Sequence, residues 1–577
     1  MKKIIKSLLL PCIAVFLTVS CSDNTDKNNG THLKFGTSGV IKSLDPSIGS
    51  DLVSRNMCGI VYDTLLQYDY PAVPYRLEPS MLAKMPEVSA DGTTYRFELR
   101  KDLYFHDSEI FTSANDRRVT SDDVIFSFKR IMDASHNSPV YWIFRNKIKG
   151  INDFRKATQT DCGGKYPDIE GLRKIDDRRF EIILNNPDYR FLYFLALPNC
   201  GIVSQKAVLA DPGIFTKSPI GSGAFKVKKW QKGYKIEFER FHDYREEFFP
   251  AAASIADRQR KLPLADNMTF YIFKRNFASW LLFLQKELDM AVLDKDNLDI
   301  LDDSNGELPP DLKEKNIKLY RTPSFELRYV GFNFRDPVFA NNHKLRMALS
   351  CAYNLPRRLK HYKGQLLPAP GPIAPGVAGS NPDWQNPYSY DLERAKKLLR
   401  EAGYPDGIDP ATKEPLTLTF DLNGNSSTHR QLGELMASDM AKIGVKIIPQ
   451  LNSSPRFFAK MASGQIQLFY LSWAGDYPDA ENFLQLFYGP NANSCNRACY
   501  RDPVFDAMFK KIIPMPDSEE RTRLYRAMSD YISQKTPWIF DGIPVDFQLT
   551  HAELENFAPY SFNFNYHKYL NKKRPVR

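Results

Sequence analysis

Between Leu416 and Asp476 the sequence spells a strand–helix–strand unit, and that pattern confines the chain to an α/β architecture. Leu416 to Leu422 is expected to be a strand. Arg430 to Ile443 has helical spacing and stops at Gly444, and Val445 to Ile448 forms a second strand. Ile466 to Ser472 is an apolar and aromatic run that reads as a buried strand, with Trp473-Ala474-Gly475-Asp476 as the turn at its carboxyl end. Open α/β sheets bind ligands outside the carboxyl ends of their strands, so Asp476 is aimed at an expected crevice, where a carboxylate calls for a cation. Gly-Asp and Tyr-Pro-Asp are also ordinary turn chemistry, and on the pattern alone that explanation is the stronger.

The start of the chain has the form of an export signal. Lys2, Lys3 and Lys6 precede an apolar run from Leu8 to Leu17 that is too short to span a bilayer. Residues 1–20 are therefore expected to be removed, which leaves Cys21 followed by a polar, Asn-rich tether over 22–31. No later apolar run is long enough to cross a membrane. A body of this size should divide into lobes, because single cores stop growing near ~250–300 residues. The formal charge of +10 is interspersed except for a basic cluster at 571–577, so no nucleic-acid face is expected. After Cys12 and Cys21, six cysteines remain: Cys58, Cys162, Cys200, Cys351, Cys495 and Cys499. In an oxidising compartment Cys495 and Cys499 are the candidate local disulfide. There is no CxxC or HExxH and the nine histidines are scattered, so no metal site is expected. The sequence also has no GxSxG and no convincing Cys with a partnered His, which ranks an exported hydrolase last among the function classes.

Several motifs then fall in one order. Ser43-Leu44-Asp45-Pro46 comes first, followed by Ile60 to Leu66. Val88-Ser89-Ala90-Asp91-Gly92 leads into Tyr95 to Lys101, where Tyr95, Phe97 and Leu99 alternate with charged residues and one face is expected to be buried. Thr120 is placed to cap a helix through Val124, Phe128 and Ile131. His106 and Asp107 read as surface polar residues. Pro219 to Phe225 is glycine-rich but lacks phosphate-loop spacing and runs into a strand over Lys235 to Phe241. Tyr329 to Asn333 and Leu345 to Leu349 follow, then Asp391 to Tyr404, a helix capped by Asp391 with Gly403 just beyond its end. Trp473-x-x-Asp476-Tyr477 and Thr536 to Phe540 complete the set. In this order the chain resembles the family 5 extracellular solute-binding proteins, the oligopeptide- and dipeptide-binding lipoproteins of bacterial ABC importers.

The resemblance implies an α/β, two-lobed periplasmic-binding-protein-like fold of the large, three-subdomain type, with a ligand cleft between lobes. Lobe I would comprise 32–65, 190–322 and 540–577, with an inserted subdomain over 66–189, and lobe II would comprise 323–539. It implies a monomer that closes on a peptide by a hinge and delivers it to a permease and its ATPases, with no cofactor and no chemistry of its own. The protein would be exported, periplasmic or at the cell surface, and anchored by lipid on Cys21, although Thr18 stands where such signals carry an aliphatic residue. Asp476 would hold the peptide's α-ammonium, and Trp473 and Gly475 would form part of the wall. Backbone near Ser50 and Leu52 would meet the ligand. Tyr470 replaces a basic residue of the oligopeptide relatives, which leaves the carboxylate end of the ligand unassigned. A relative binding another solute, such as a metal chelate, haem or a sugar, is the alternative.

Overall fold

Two segments laid side by side carry the chain from one half of the molecule to the other. Ile317–Pro323 and Glu326–Phe332 follow each other with only Ser324 and Phe325 between them, and both pair antiparallel with one 14-residue strand, Trp538–His551. Pro323 lies opposite Val545 and Arg328 opposite Gly542, and the Ser324 amide donates to the Pro544 carbonyl at 2.8 Å, so the ribbon is continuous through the crossing. Met290–Leu293 joins on one side. On the other, Leu468–Ala474, Thr417–Asn423 and Lys446–Asn452 complete an eight-stranded sheet with Leu366–Pro368 at its flank. This computed structural model describes residues 30–573 apart from 71, 250–259, 274–275, 294–297, 299–300, 302–306 and 559–563. The expected signal, Cys21 and nearly all of the tether lie outside the described residues.

The strand–helix–strand expectation holds. Thr417–Asn423 and Lys446–Asn452 are parallel, and Ser427–Ala441 is the helix between them. The helix begins earlier than its apolar spacing indicates because Ser426 accepts a hydrogen bond from the His429 amide and caps it there. At its other end Gly444 adopts φ +80°, the left-handed geometry that stops a helix. Leu418, Phe420 and Leu422 bury against Leu432, Met436 and Met440, and Val330, Phe332 and Leu468 extend the same core.

The other half of the molecule has a four-stranded sheet in which His32–Ser38 runs parallel to Asn267–Phe273, followed by Lys235–Arg240 and Phe225–Gln231. A smaller sheet, Glu87–Val88, Thr94–Glu98, Arg179–Ile183 and Leu172–Lys174, buries Tyr95 and Phe97 as their alternation predicts, and Leu99 beyond it is buried too. Thr120 and Asp123 form a capping box at the helix Ser121–Met132. The glycine-rich turn is structural: a Cβ on Gly221 would overlap the Val61 carbonyl. His106, expected at the surface, is buried beneath this turn. Its Nε2 donates to the Gly223 carbonyl at 3.0 Å and its Nδ1 accepts from the Gly221 amide at 3.2 Å, and burial lowers its pKa to about 4. The tail packs on this half, with Tyr569 stacked on Tyr70 at 4.4 Å.

The cysteines correct one expectation. Cys495 and Cys499 are free thiols, as are the other four described cysteines. Cys495 Sγ faces Gln485 Oε1 at 3.7 Å and Cys499 Sγ faces Asn493 Oδ1 at 3.4 Å, so each thiol is turned to a different side-chain amide.

Asp541, in the crossing strand, is fully buried and meets three donors. Arg358 forks onto it at 2.8 and 2.9 Å, Tyr353 donates at 2.8 Å, and Tyr470 donates at 2.7 Å. Arg358 is 1% exposed, so neither charge has water to fall back on. The Arg358→Met variant strands a buried carboxylate and is expected to lose ~3–5 kcal/mol of unfolding free energy in urea titrations. A loss below 1 kcal/mol would show that the pair does not hold the strand.

Candidate functional site

The site is assembled from the helix Leu52–Val61 and the loop before it on one side, and from the end of Leu468–Ala474 on the other. The loop is held by its own polar groups. Asn199 Nδ2 donates to the carbonyls of Pro46 and Gly49 at 2.9 and 2.8 Å, and Asp51 caps the helix by accepting from the Ser54 amide at 2.9 Å. Asp45 of the Ser-Leu-Asp-Pro motif is buried and bonded to both terminal nitrogens of Arg130, so its role is to fix this turn. Ser50 and Leu52 are left at the surface, Leu52 at 59% exposure.

On the facing side, Gly475 leaves the strand and its amide donates to the carbonyl of Phe325, the residue at the centre of the crossing ribbon, at 2.9 Å. Only glycine fits there, because a Cβ would overlap the Phe325 ring. Buried Asn482 then ties two site residues together: its Oδ1 accepts from Trp473 Nε1 at 2.9 Å and from the Asp476 amide at 3.1 Å. Trp473, Gly475 and Asp476 are thus brought together as expected.

Three carboxylates lie within this segment, and two are saturated. Asp479 accepts from the Glu481 amide, Tyr525 Oη and Arg521 Nη1, at 2.8, 2.6 and 2.7 Å. Glu481 accepts from Arg190 Nη1 at 2.7 Å and Tyr477 Oη at 2.5 Å. Asp476 is the exception. Its side chain is one-third exposed, no described residue donates a hydrogen bond to its carboxylate, and its nearest cation is Arg55 Nη1 at 3.9 Å, beyond hydrogen-bond length. Burial raises its pKa above the usual carboxylate range, with Arg55 opposing the shift. Arg55 belongs to the helix Leu52–Val61 and was not identified from sequence; in that setting it looks like any polar helical residue.

Tyr470 does not join the site. It lies three residues before Trp473 in the same strand, so it points to the opposite face, where its hydroxyl is committed to Asp541. Two large cavities lie elsewhere. One of about 570 Å³, lined by Tyr193, Asp479, Arg521 and Tyr525 among others, runs behind the Asp476 segment, and an apolar one of about 640 Å³ sits against Pro368, Val377 and Ile543. Neither is lined by Asp476, whose carboxylate faces Arg55 of the helix Leu52–Val61.

The chain is similar to known proteins over most of its length. The sequence is 27% identical over 513 residues to heme-binding protein A of Haemophilus influenzae, covering 88% of this chain and 85% of that protein. It is 26% identical over 506 residues to the glutathione-binding protein GsiB of Escherichia coli K12, covering 86% of each. The fold matches the periplasmic binding protein DppA of Helicobacter pylori in complex with the peptide STSA, with a TM-score of 0.69, 23% identity, and coverage of 94% of this chain and 98% of that one. The profile of the bacterial extracellular solute-binding proteins, family 5 Middle, matches residues 76–495, which is most of the chain. With a profile match over most of its length and a two-lobed α/β fold, the chain belongs to family 5 of the bacterial extracellular solute-binding proteins, the binding components of ABC importers.

Proposed function

We propose that this protein captures peptides with a free α-amino group and that Asp476 receives the ammonium. The observation that carries the proposal is the contrast within one segment: Asp479 and Glu481 have their donors, and Asp476 has none among the described residues. A partly desolvated carboxylate without donors is costly to maintain for structural reasons alone, and a turn-forming aspartate would be expected to accept from its own backbone. An ammonium supplies three donors and a full charge. The side chains beyond the first residue would be read loosely, through backbone pairing at strand edges and wet pockets. The named ligands of the relatives are in keeping with this, since one is glutathione, which carries a free α-amino group, and another is a peptide, STSA.

Haem is the second solute to weigh, on the name of the Haemophilus relative. Haem has no ammonium for Asp476, so one substitution separates the two readings. Asp476→Asn keeps the shape and removes the charge. For a peptide ligand it should cost ~3–5 kcal/mol, or roughly two to three and a half orders of magnitude in affinity. Calorimetry with one peptide and its N-acetylated form should show acetylation weakening the wild type strongly and the variant hardly at all. Equal sensitivity in both proteins would remove Asp476 from this role.

Capture is proposed to proceed by hinge closure about the crossing ribbon, with lobe I comprising 32–65, 190–322 and 540–577, lobe II 323–539, and 66–189 inserted. Small-angle scattering should give a smaller radius of gyration with saturating peptide, and an unchanged radius would count against closure. The mature protein is further proposed to be a monomer held at a bacterial membrane by lipid on Cys21, and to hand its cargo to a permease with its ATPases. The Cys21→Ser variant should accumulate unprocessed or soluble. A processed, lipid-labelled variant still found in the membrane fraction would refute the anchor.

A further inference from the structure

Arg55 lies 3.9 Å from Asp476 and is as poorly partnered. It is 20% exposed, and its Nε is buried without a hydrogen-bond partner. None of its guanidinium N–H groups donates a hydrogen bond to a described residue. Its contacts are the Asp476 carboxylate at 3.9 Å and the ring of Phe564, whose centroid lies 5.7 Å from Cζ. A planar cation held against an aromatic ring, beside a carboxylate it does not hydrogen-bond, keeps its fork of donors available to a second carboxylate.

This matters for which free-amine ligands fit. An ordinary peptide brings one ammonium to Asp476 and no anion beside it, because its first carboxyl group is an amide. Two cations would then share one carboxylate in a partly dry site, and Arg55 would oppose the ligand. A ligand whose first residue keeps both its α-ammonium and its α-carboxylate brings one charge of each sign. Both groups are bonded to a single carbon and lie about 2.5 Å apart by standard bond lengths and angle, close enough to be met by two side chains at 3.9 Å.

We propose that Arg55 and Asp476 together form a receptor for an intact α-amino-acid head group, with Asp476 on the ammonium and Arg55 on the α-carboxylate, and that the preferred ligands are γ-linked peptides. The proposal rests on the assignment of the ammonium to Asp476. In the absence of ligand the two side chains shield each other, and binding exchanges their long mutual contact for two hydrogen-bonded ion pairs of opposite sense.

The test is calorimetry with two isomers of equal composition and charge, γ-Glu-Ala-Gly and α-Glu-Ala-Gly, on the full chain, with N-acetylated α-Glu-Ala-Gly as the control. The γ isomer should bind the wild type at least tenfold more tightly. Arg55→Met should abolish that preference by weakening the γ isomer, and Arg55→Lys, which keeps the charge without the planar fork, should retain part of it. Thermal melts confirm that both variants fold. Equal or tighter binding of the α isomer, a preference that survives Arg55→Met, or binding of neither isomer overturns the proposal. If acetylation weakens binding while the isomers bind alike, Asp476 keeps its ammonium and only Arg55 loses its role. If acetylation has no effect, the ammonium assignment itself falls.

Discussion

The buried pair between Asp541 and Arg358 is the constraint on which the geometry of the crossing depends. Asp541 lies where the strand Trp538–His551 changes partners, one residue before Gly542 and beside the register shift between Arg328 and Tyr329. Strands that switch partners are open to slippage, and a slip of one residue turns every side chain to the other face. Here such a slip would withdraw the carboxylate from Arg358, Tyr353 and Tyr470 and bury it unpaired, while moving Trp538 and Phe540 from the core on one face of the strand to the different core that Ile539 fills on the other. The ion pair therefore selects a register more than it adds net stability, since a well-packed apolar replacement would be about as stable.

From that fixed register the site follows by short steps. The ribbon places Phe325 between its two paired segments, the Phe325 carbonyl accepts the Gly475 amide, and Asn482 holds both the Asp476 backbone and the Trp473 ring. The segment beyond Asp476 is braced from the other half of the molecule. Arg190 bonds both Asp188 and Glu481, and the rings of Tyr193 and Tyr477 are stacked with centroids 6.0 Å apart. The carboxylate thus stands on a loop joined to the proposed hinge at one end and to the opposite half at the other.

What could be read from sequence was whatever local chemistry decides. The capping box of Thr120 and Asp123, the cap at Asp391, the left-handed Gly444 and the alternation of Tyr95, Phe97 and Leu99 each depend on neighbours within a few residues, and each stands as expected. The place of Asp476 just past the carboxyl end of the strand Leu468–Ala474 was also legible, because the apolar run before it ends there. The misses are long-range pairings. His106 looked superficial because its partner, the Gly223 carbonyl, lies 117 residues away. Tyr470 was considered because it stands where the oligopeptide relatives carry a basic residue, but residues three apart in a strand face opposite ways and its hydroxyl bonds Asp541 instead. Arg55 carried no signal at all, since only the tertiary fold brings its helix to Asp476. For Cys495 and Cys499, short spacing in the chain did not bring the sulfurs together, because each turns to a different amide.

The distance between Arg55 and Asp476 is itself informative about how such a site can work. A hydrogen-bonded Arg–Asp pair would be a stable structural element, and a ligand would have to break it at a cost comparable with what it gained. Complete separation would leave two partly buried charges unscreened and would destabilise the empty protein. At 3.9 Å, with no hydrogen bond between them, the charges offset part of each other's desolvation and keep nearly all their donors and acceptors available. Affinity is then set by the difference between a weak contact given up and stronger ones formed. That is a workable compromise for a carrier that must bind its solute from dilute solution and later release it.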